Sequence, residues 1–176
     1  MNFTGAGCMF FNEQYLLAGY QPRKQKPVLS GLGGKREGEE DILTTALRET
    51  LEELFELETV PLEWITAIQE SVPNKGLLKN GEYVSVLYSF DDLQKILDLL
   101  KEKGCQSQLY EYFPTNLLPL LFNRRQLKTP PEISHLTLLP LVFHALETPF
   151  VSPSFLKDMR LLLQSGVVQP SSSVLS

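Results

Sequence analysis

Apolar and polar residues alternate along this chain with two different periods, and the switches between them predict its elements. Short apolar runs at 7–11 and 15–20 flank Asn12-Glu13, which predicts two strands in a tight hairpin. Residues 27–32 read as a third strand and 64–72 as another. Leu77-Leu78 and the run 83–90 flank Lys79-Asn80-Gly81-Glu82, and Asn-Gly is a strong hairpin signal. Val84, Val86 and Tyr88 alternate there with Ser85, Leu87 and Ser89, as in a half-buried strand. Residues 109–113 read as a last short strand. Helical spacing governs 41–54, which holds no Gly or Pro and is rich in Leu, Glu, Ala and Arg. A second helix is predicted over 91–103, capped by Asp91 or Asp92 and stopped by Gly104. After Pro114 the leucine-rich segments 116–126, 136–146 and 152–164 read as helices, the last opening on Ser152-Pro153. Strands and helices in this order predict an α/β/α sandwich, a mixed sheet between helices.

Helix 41–54 has two unlike faces. At about 100° per residue, Glu49, Glu52, Glu53 and Glu56 share one narrow arc, while Leu43, Leu47, Thr50, Leu51 and Leu54 lie opposite. Like charges at i,i+4, such as Glu49 and Glu53, cost a bare helix a few tenths of a kcal/mol. The C-terminal half of a helix also disfavours anions. A Glu-rich face is often only solvated, so the helix alone does not define a site. The segment before it adds Gly31, Gly33, Gly34 and Gly38, whose backbone can approach a phosphate or a metal-bound oxygen closely. Glu37, Glu39 and Glu40 add further oxygens near the helix start. An all-oxygen donor set suits a hard cation, Mg2+ or Mn2+, rather than zinc. The residues thus point to metal-assisted chemistry on a phosphate-bearing substrate.

The segment GGKREGEEDILTTALRETLEEL resembles the signature box of the Nudix hydrolases, Gly-x5-Glu-x7-Arg-Glu-U-x-Glu-Glu-x-Gly-U with U a bulky aliphatic. Gly34, Glu40, Arg48, Glu49, Glu52 and Glu53 fall on that pattern. Thr50 replaces the first aliphatic, Phe55 the glycine, and Glu56 the last aliphatic, with Leu57 following. Without that glycine the usual left-handed end of the helix is in question. The resemblance implies a Nudix-type sandwich over about residues 3–125 of one domain, with a helical C-terminal extension over about 126–169 and a loose tail at 170–176. It implies metal ligands at Glu52 and Glu53, and at Glu49 a ligand or the base that deprotonates the attacking water. Glu49 and Glu53 are not separated as base. Arg48 is expected to orient a glutamate, Gly34 to open the loop and offer a backbone carbonyl to the metal, and Glu40 to anchor the loop or hold a second metal indirectly. A further carboxylate outside the box is expected from Glu111, Glu82, Asp91 or Asp92, each of which also reads as ordinary surface charge.

Composition narrows the function. The 176 residues are 43% hydrophobic, enough for one good core, and carry a net charge of −5. No basic stripe supports a strong grip on nucleic acid. Basic residues cluster at Arg23-Lys24-Gln25-Lys26 and Arg124-Arg125. These read as solvated charge or, for Arg23, Lys24 and also Lys35, as contacts to substrate phosphates. Cys8 and Cys105 are expected as reduced thiols. No apolar run is long enough to span a membrane and no secretory leader pattern opens the chain, so a cytoplasmic protein is expected, with a nuclear one also admitted. His135 and His144 read as packing or facing water rather than as catalytic bases, and Trp64, Tyr83, Tyr88, Tyr110, Tyr112 and Phe113 chiefly as core, with one or two able to stack on a nucleobase. The apolar stretch 138–143 is expected to pack on the core, with a homodimer surface as the alternative. The expected activity is Mg2+-dependent (or Mn2+-dependent) hydrolysis of a diphosphate linkage in a nucleoside triphosphate, nucleotide sugar or dinucleotide. The alternatives are an mRNA cap hydrolase acting on RNA and a non-catalytic nucleotide-binding module. Glu52→Gln or Glu53→Gln is expected to abolish turnover and spare the fold, both lying on the polar face.

Overall fold

The computed structural model describes residues 2–142 and 149–168. Strands β1 (Gly5–Phe11) and β2 (Tyr15–Gln21) form the first hairpin. Next come β3 (Val28–Ser30), β4 (Leu32–Lys35) and helix α1 (Ile42–Phe55). Helix α2 (Leu62–Ser71) leads to the hairpin β5 (Gly76–Asn80) and β6 (Tyr83–Ser89). Helices α3 (Phe90–Glu102) and α4 (Leu117–Phe122), strand β7 (His135–Pro140) and helix α5 (Pro153–Gln164) complete the chain.

The seven strands make one mixed sheet, with β1 and β6 parallel and the other pairs antiparallel. The first hairpin is splayed. β1 meets β2 only at Phe11↔Leu16, then pairs with β4 from Gly5 to Cys8, while the far end of β2 pairs with β3. The β3–β4 stretch is therefore wedged between β1 and β2, and Gly31 is where it changes partner. This wedge carries the glycine loop into the middle of the sheet, directly under α1.

Side-chain alternation assigns the two faces. Ala6, Cys8, Phe10, Val84, Val86 and Tyr88 pack with Leu47, Leu51 and Leu54 of α1, Ile65 and Ile68 of α2, and Leu93, Ile96 and Leu97 of α3. Met9, Phe11, Leu16, Ala18 and Leu87 face the other way and meet Phe155, Met159 and Leu162 of α5. Each fully buried side chain of this size contributes about 1.5–3 kcal/mol, so both layers hold the sheet flat against its helices. The α/β/α sandwich expected from the sequence is the fold.

Several local expectations are corrected. Residues 64–72 form helix α2, because Ile65, Ile68 and Val72 are buried at helical spacing. Residues 109–113 form no strand. Leu109 and Tyr110 are buried from a turn closed on Ser107, and the Tyr110 hydroxyl donates to the Leu120 carbonyl at 2.6 Å. The expected helix 136–146 gives way to β7, which pairs with β2 from Tyr15↔Pro140 to Tyr20↔His135. Leucine suits either element, and the open edge of β2 decides. The later part of that segment, with His144, and the tail 170–176 lie outside the described residues. Helix α4 is shorter than expected, ending at Phe122 with Asn123 as its C-cap. Ser89, not Asp91 or Asp92, caps α3, with Asp92 completing a capping box. In the second hairpin Asn80 pairs with Tyr83, so Gly81 (φ 63°) and Glu82 make the turn.

Candidate active site

Helix α1 starts on Asp41, whose carboxylate accepts from the Thr44 amide. Arg48, only 8% exposed, is the hub of the polar face. Its Nε donates to Glu40 Oε2 (2.7 Å) and its Nη2 to Glu40 Oε1 and to the Lys35 carbonyl (both 2.9 Å). Nη1 donates to Glu49 Oε1 at 2.9 Å and lies 3.4 Å from Glu52. Glu40 also accepts from the Glu37 amide and the Thr45 hydroxyl. Hydrogen bonds from Arg48 hold the Glu40 carboxyl below its ordinary range, and those from Glu40 in turn hold the guanidinium charged. Burial raises Glu52.

Glu53 is placed differently. It lies on the acidic face with Glu49, Glu52 and Glu56, as expected, but is only 7% exposed. Its Oε1 accepts from the Gly33 amide at 2.6 Å. Its Oε2 is buried and has no hydrogen-bond partner among the described residues. Burial is the main force pushing its carboxyl up to about 8, opposed by the Gly33 amide and helped first by Glu132 and then by Glu49 and Glu52.

Two glycines make this approach possible. Gly33 has φ 153°, and a Cβ there would lie 2.1 Å from the Tyr83 hydroxyl oxygen. A Cβ on Gly34 would lie 2.2 Å from Glu49 Oε2, so the bare backbone makes room for that carboxylate. The Gly34 carbonyl oxygen lies against Gly5 of β1.

The departures from the box have local reasons. Thr50 is buried and its hydroxyl accepts from the Cys8 amide at 3.1 Å. Phe55 is wholly buried, with ring centroids 4.8 Å from Phe113 and 6.1 Å from Tyr110. The left-handed helix end is kept but moved to Glu56 (φ 51°, ψ 51°), and the Glu56 and Leu57 amides both turn back to the Glu52 carbonyl. Left-handed geometry costs a residue bearing a Cβ about 1–2 kcal/mol.

Above Glu53 opens a cleft of about 390 Å³, lined by Glu49, Glu52, Glu53, Glu56, Glu58 and Glu132 together with Arg23, Leu57 and Gln108. A neighbouring hollow of about 330 Å³ shares Arg23 and Glu132 and adds Lys24 and Gln21. Lys35 is exposed and lines neither. None of the further carboxylates expected from the sequence reaches the cleft. Glu111 lies 4.0 Å from Arg125, Glu82 is in the hairpin turn, Asp92 is a buried cap, and Asp91 lines a larger hollow elsewhere, of about 720 Å³, without a basic side chain. Glu132, Glu58 and Gln108 were not anticipated. Glu58 follows directly on the end of α1, whereas only the fold brings Gln108 and Glu132 to it.

Among the described residues no group of three or more His, Cys, Asp or Glu side chains is arranged to hold a metal ion. Arg48 engages oxygens of Glu49 and Glu52. The donor chemistry still fits a hard cation. Every donor is oxygen, and the buried, unpartnered Glu53 Oε2 is costly unless a cation or proton meets it.

Fold and site together define a class, α/β/α proteins with an acidic cleft beside a glycine-bearing strand. The family model for the NUDIX domain matches residues 1–132, and the chain belongs to the Nudix hydrolase family. No curated protein matches it. Among solved structures it is similar to a bifunctional NMN adenylyltransferase/ADP ribose pyrophosphatase from Francisella tularensis, complexed with AMP and a Mn ion (19% identity, TM-score 0.34). That likeness covers 52% of this chain and only 28% of the longer one. It is also similar to the E. coli ORF135 protein (15% identity, TM-score 0.44, covering 98% and 96% of the two chains) and to a NUDIX-family hydrolase from Clostridium perfringens (10%, 0.39, 91% and 95%). Membership rests on the family model. Among the described residues no helix is long and apolar enough to cross a membrane.

Proposed function

We propose that the protein is a Mg2+-dependent pyrophosphohydrolase that cleaves a diphosphate linkage in a nucleoside triphosphate, nucleotide sugar or dinucleotide. The observation that carries this reading is the buried, unpartnered oxygen of Glu53, a residue that lines a cleft with Glu49 and Glu52. Glu49, Glu52 and Glu53 would hold the metal, with Mn2+ able to replace Mg2+. Bound there, the metal would neutralise charge on the diphosphate and activate water. Arg48 keeps Glu49 and Glu52 oriented and Glu40 anchors Arg48, so neither need touch substrate. Gly34 contributes room for Glu49. Glu49 and Glu53 are the two candidates for proton acceptor. Arg23, which lines the cleft, and Lys24, which lines the neighbouring hollow, would meet substrate phosphates.

The test is release of phosphate products from nucleoside triphosphates, ADP-ribose, dinucleotides and capped RNA, with Mg2+ or Mn2+ and with Glu53→Gln alongside. Metal-dependent cleavage that disappears in Glu53→Gln is the expected result. Full activity in that variant would sink the site assignment, and cleavage of capped RNA alone would replace the small-molecule reading.

A further inference from the structure

Arg124 is 8% exposed, yet its guanidinium bonds two separate stretches of backbone and a tyrosine hydroxyl. Nη1 donates to the Leu54 carbonyl and to the Tyr110 hydroxyl (3.3 Å). Nη2 donates to the carbonyls of Glu53 (3.0 Å) and Ile133 (2.7 Å). Nε is buried without a partner, and among the described residues Arg124 forms no ion pair with a carboxylate. A buried cation in that state is costly unless dipoles compensate it. Here the compensation comes from the end of α1, where a helix leaves its last carbonyls open and its dipole is negative.

Closing the helix end does not by itself require Arg124. The Ser107 hydroxyl already donates to the Phe55 carbonyl, and the Glu56 and Leu57 amides turn back to Glu52. What Arg124 adds is the link to residue 133. A single nitrogen bonds the carbonyls of Glu53 and of the neighbour of Glu132. Glu53 and Glu132 line the same cleft, and Glu132 is the foremost charge acting on Glu53. The chain from 123 to 134 contains no helix or strand. Besides Arg124, the Arg125 amide on the Leu109 carbonyl, the Ser134 amide on the Tyr20 carbonyl, the Gln126 side chain on the His135 ring and the wholly buried Ile133 side chain tie it down.

We propose that Arg124 is a positioning residue of this site: by bonding the Glu53 and Ile133 carbonyls through one guanidinium nitrogen, it sets the spacing between Glu53 and Glu132 across the cleft. The inference rests on the hydrolytic reading of that cleft. Arg124 itself lies beneath the cleft and reaches the chemistry only through the two glutamates.

The test uses the full chain and two readouts, Mn2+ affinity by electron paramagnetic resonance and steady-state kinetics on the best substrate of the panel. The proteins are wild type, Arg124→Lys, Glu132→Ala, the double variant and Arg125→Ala. A lysine ammonium cannot reproduce the guanidinium fork. At a temperature where circular dichroism shows Arg124→Lys folded, Mn2+ affinity and kcat should each fall about tenfold or more, as when a group supporting metal ligands is lost. KM should move less than about threefold. Glu132→Ala should fall in the same direction, and the double variant should be no worse than the worse single one. Arg125→Ala, at an exposed side chain, should match wild type.

A purely structural tie would lower the melting temperature of Arg124→Lys but leave the folded protein's Mn2+ affinity and kcat intact, and that result overturns the proposal. Additive losses in the double variant overturn it as well. If Arg124→Lys fails to fold, Arg124→Gln carries the same comparison. Wild-type behaviour of Glu132→Ala then overturns the proposal, and a matching loss supports it. A wild-type protein that binds Mn2+ but cleaves nothing removes the hydrolytic reading and leaves Arg124 judged on Mn2+ affinity.

Discussion

Each side of the sheet carries a buried helix carboxylate whose proton affinity is raised by burial, Glu53 of α1 and Asp158 of α5, and the two are treated very differently. They are almost equally hidden, 7% and 6% exposed. Burial is the leading cause of a raised proton affinity in both, to about 8 for Glu53 and about 6 for Asp158. Asp158 accepts from the Asn80 amide at 2.8 Å, and neither of its oxygens is a buried orphan. It ties α5 to β5 in a layer that is otherwise apolar. Glu53 has one oxygen bonded and one left open, under a cleft lined by five other glutamates. The contrast shows that a displaced pKa does not mark a site by itself. The unsatisfied atom, and the company of like charges facing solvent, distinguish one buried carboxylate from the other.

Breaking the support of the α1 side should have the largest effect. Arg48→Met leaves Glu40, Glu49 and Glu52 without their shared cation, and should lower stability by about 3–5 kcal/mol. A chemical-denaturation midpoint measures it, and a loss under about 1 kcal/mol would mean the cluster is held by solvent and screening instead. Glu53→Gln should cut turnover by about 100-fold or more, equivalent to about 2.7 kcal/mol of barrier. Its fold should survive, because the substitution removes a buried charge; a melted variant would show that Glu53 is structural, like Asp158.

The two carboxylates should also separate in pH. Both folded values are raised, so each group's contribution is complete at low pH and is lost as pH rises through the folded value. For Asp158 that window runs from about 4 to about 6, and Asp158→Asn should remove roughly 1–3 kcal/mol of decline across it. For Glu53 the window runs from about 4.5 to about 8, so in chelator Glu53→Gln should flatten the neutral part of the stability curve and Asp158→Asn should not. Identical curves for the two variants would erase the distinction. The smallest effect is expected at Glu56. Glu56→Gly relieves the left-handed residue and should stabilise by about 0.5–1 kcal/mol, read as a higher thermal midpoint, since glycine's flexibility offsets part of the gain. An unchanged or lower midpoint would show that the Glu56 side chain compensates for its backbone.

The amphipathic split of α1 was legible because it is local: helical spacing alone puts Leu47, Leu51 and Leu54 opposite Glu49 and Glu52. The same arithmetic placed Glu53 on that acidic face, where it lines the cleft, but did not show its burial, because the arc of a helix does not say how far the Gly33 strand leans over it. Residues 64–72 misled for a related reason. Their apolar positions satisfy either period over a short run, and packing against α1 and α3 chose the helix. The strand at His135–Pro140 depended on the open edge of β2, more than a hundred residues away in the chain.

The spacing of Gly34, Glu40, Arg48, Glu49, Glu52 and Glu53 lies within one loop and one helix, and such spacing is a property of the chain itself. Short-range spacing therefore made the acidic face of α1 and the resemblance to the family legible in the residues alone. Tertiary structure decided which carboxylate is buried, that Glu132 joins the cleft, and that Arg124 leaves its neighbour Arg125 at the surface and turns inward to α1. These are contacts between segments distant in sequence. Each depends on the desolvation and hydrogen-bond demands that arise only once the sheet has closed between its helices.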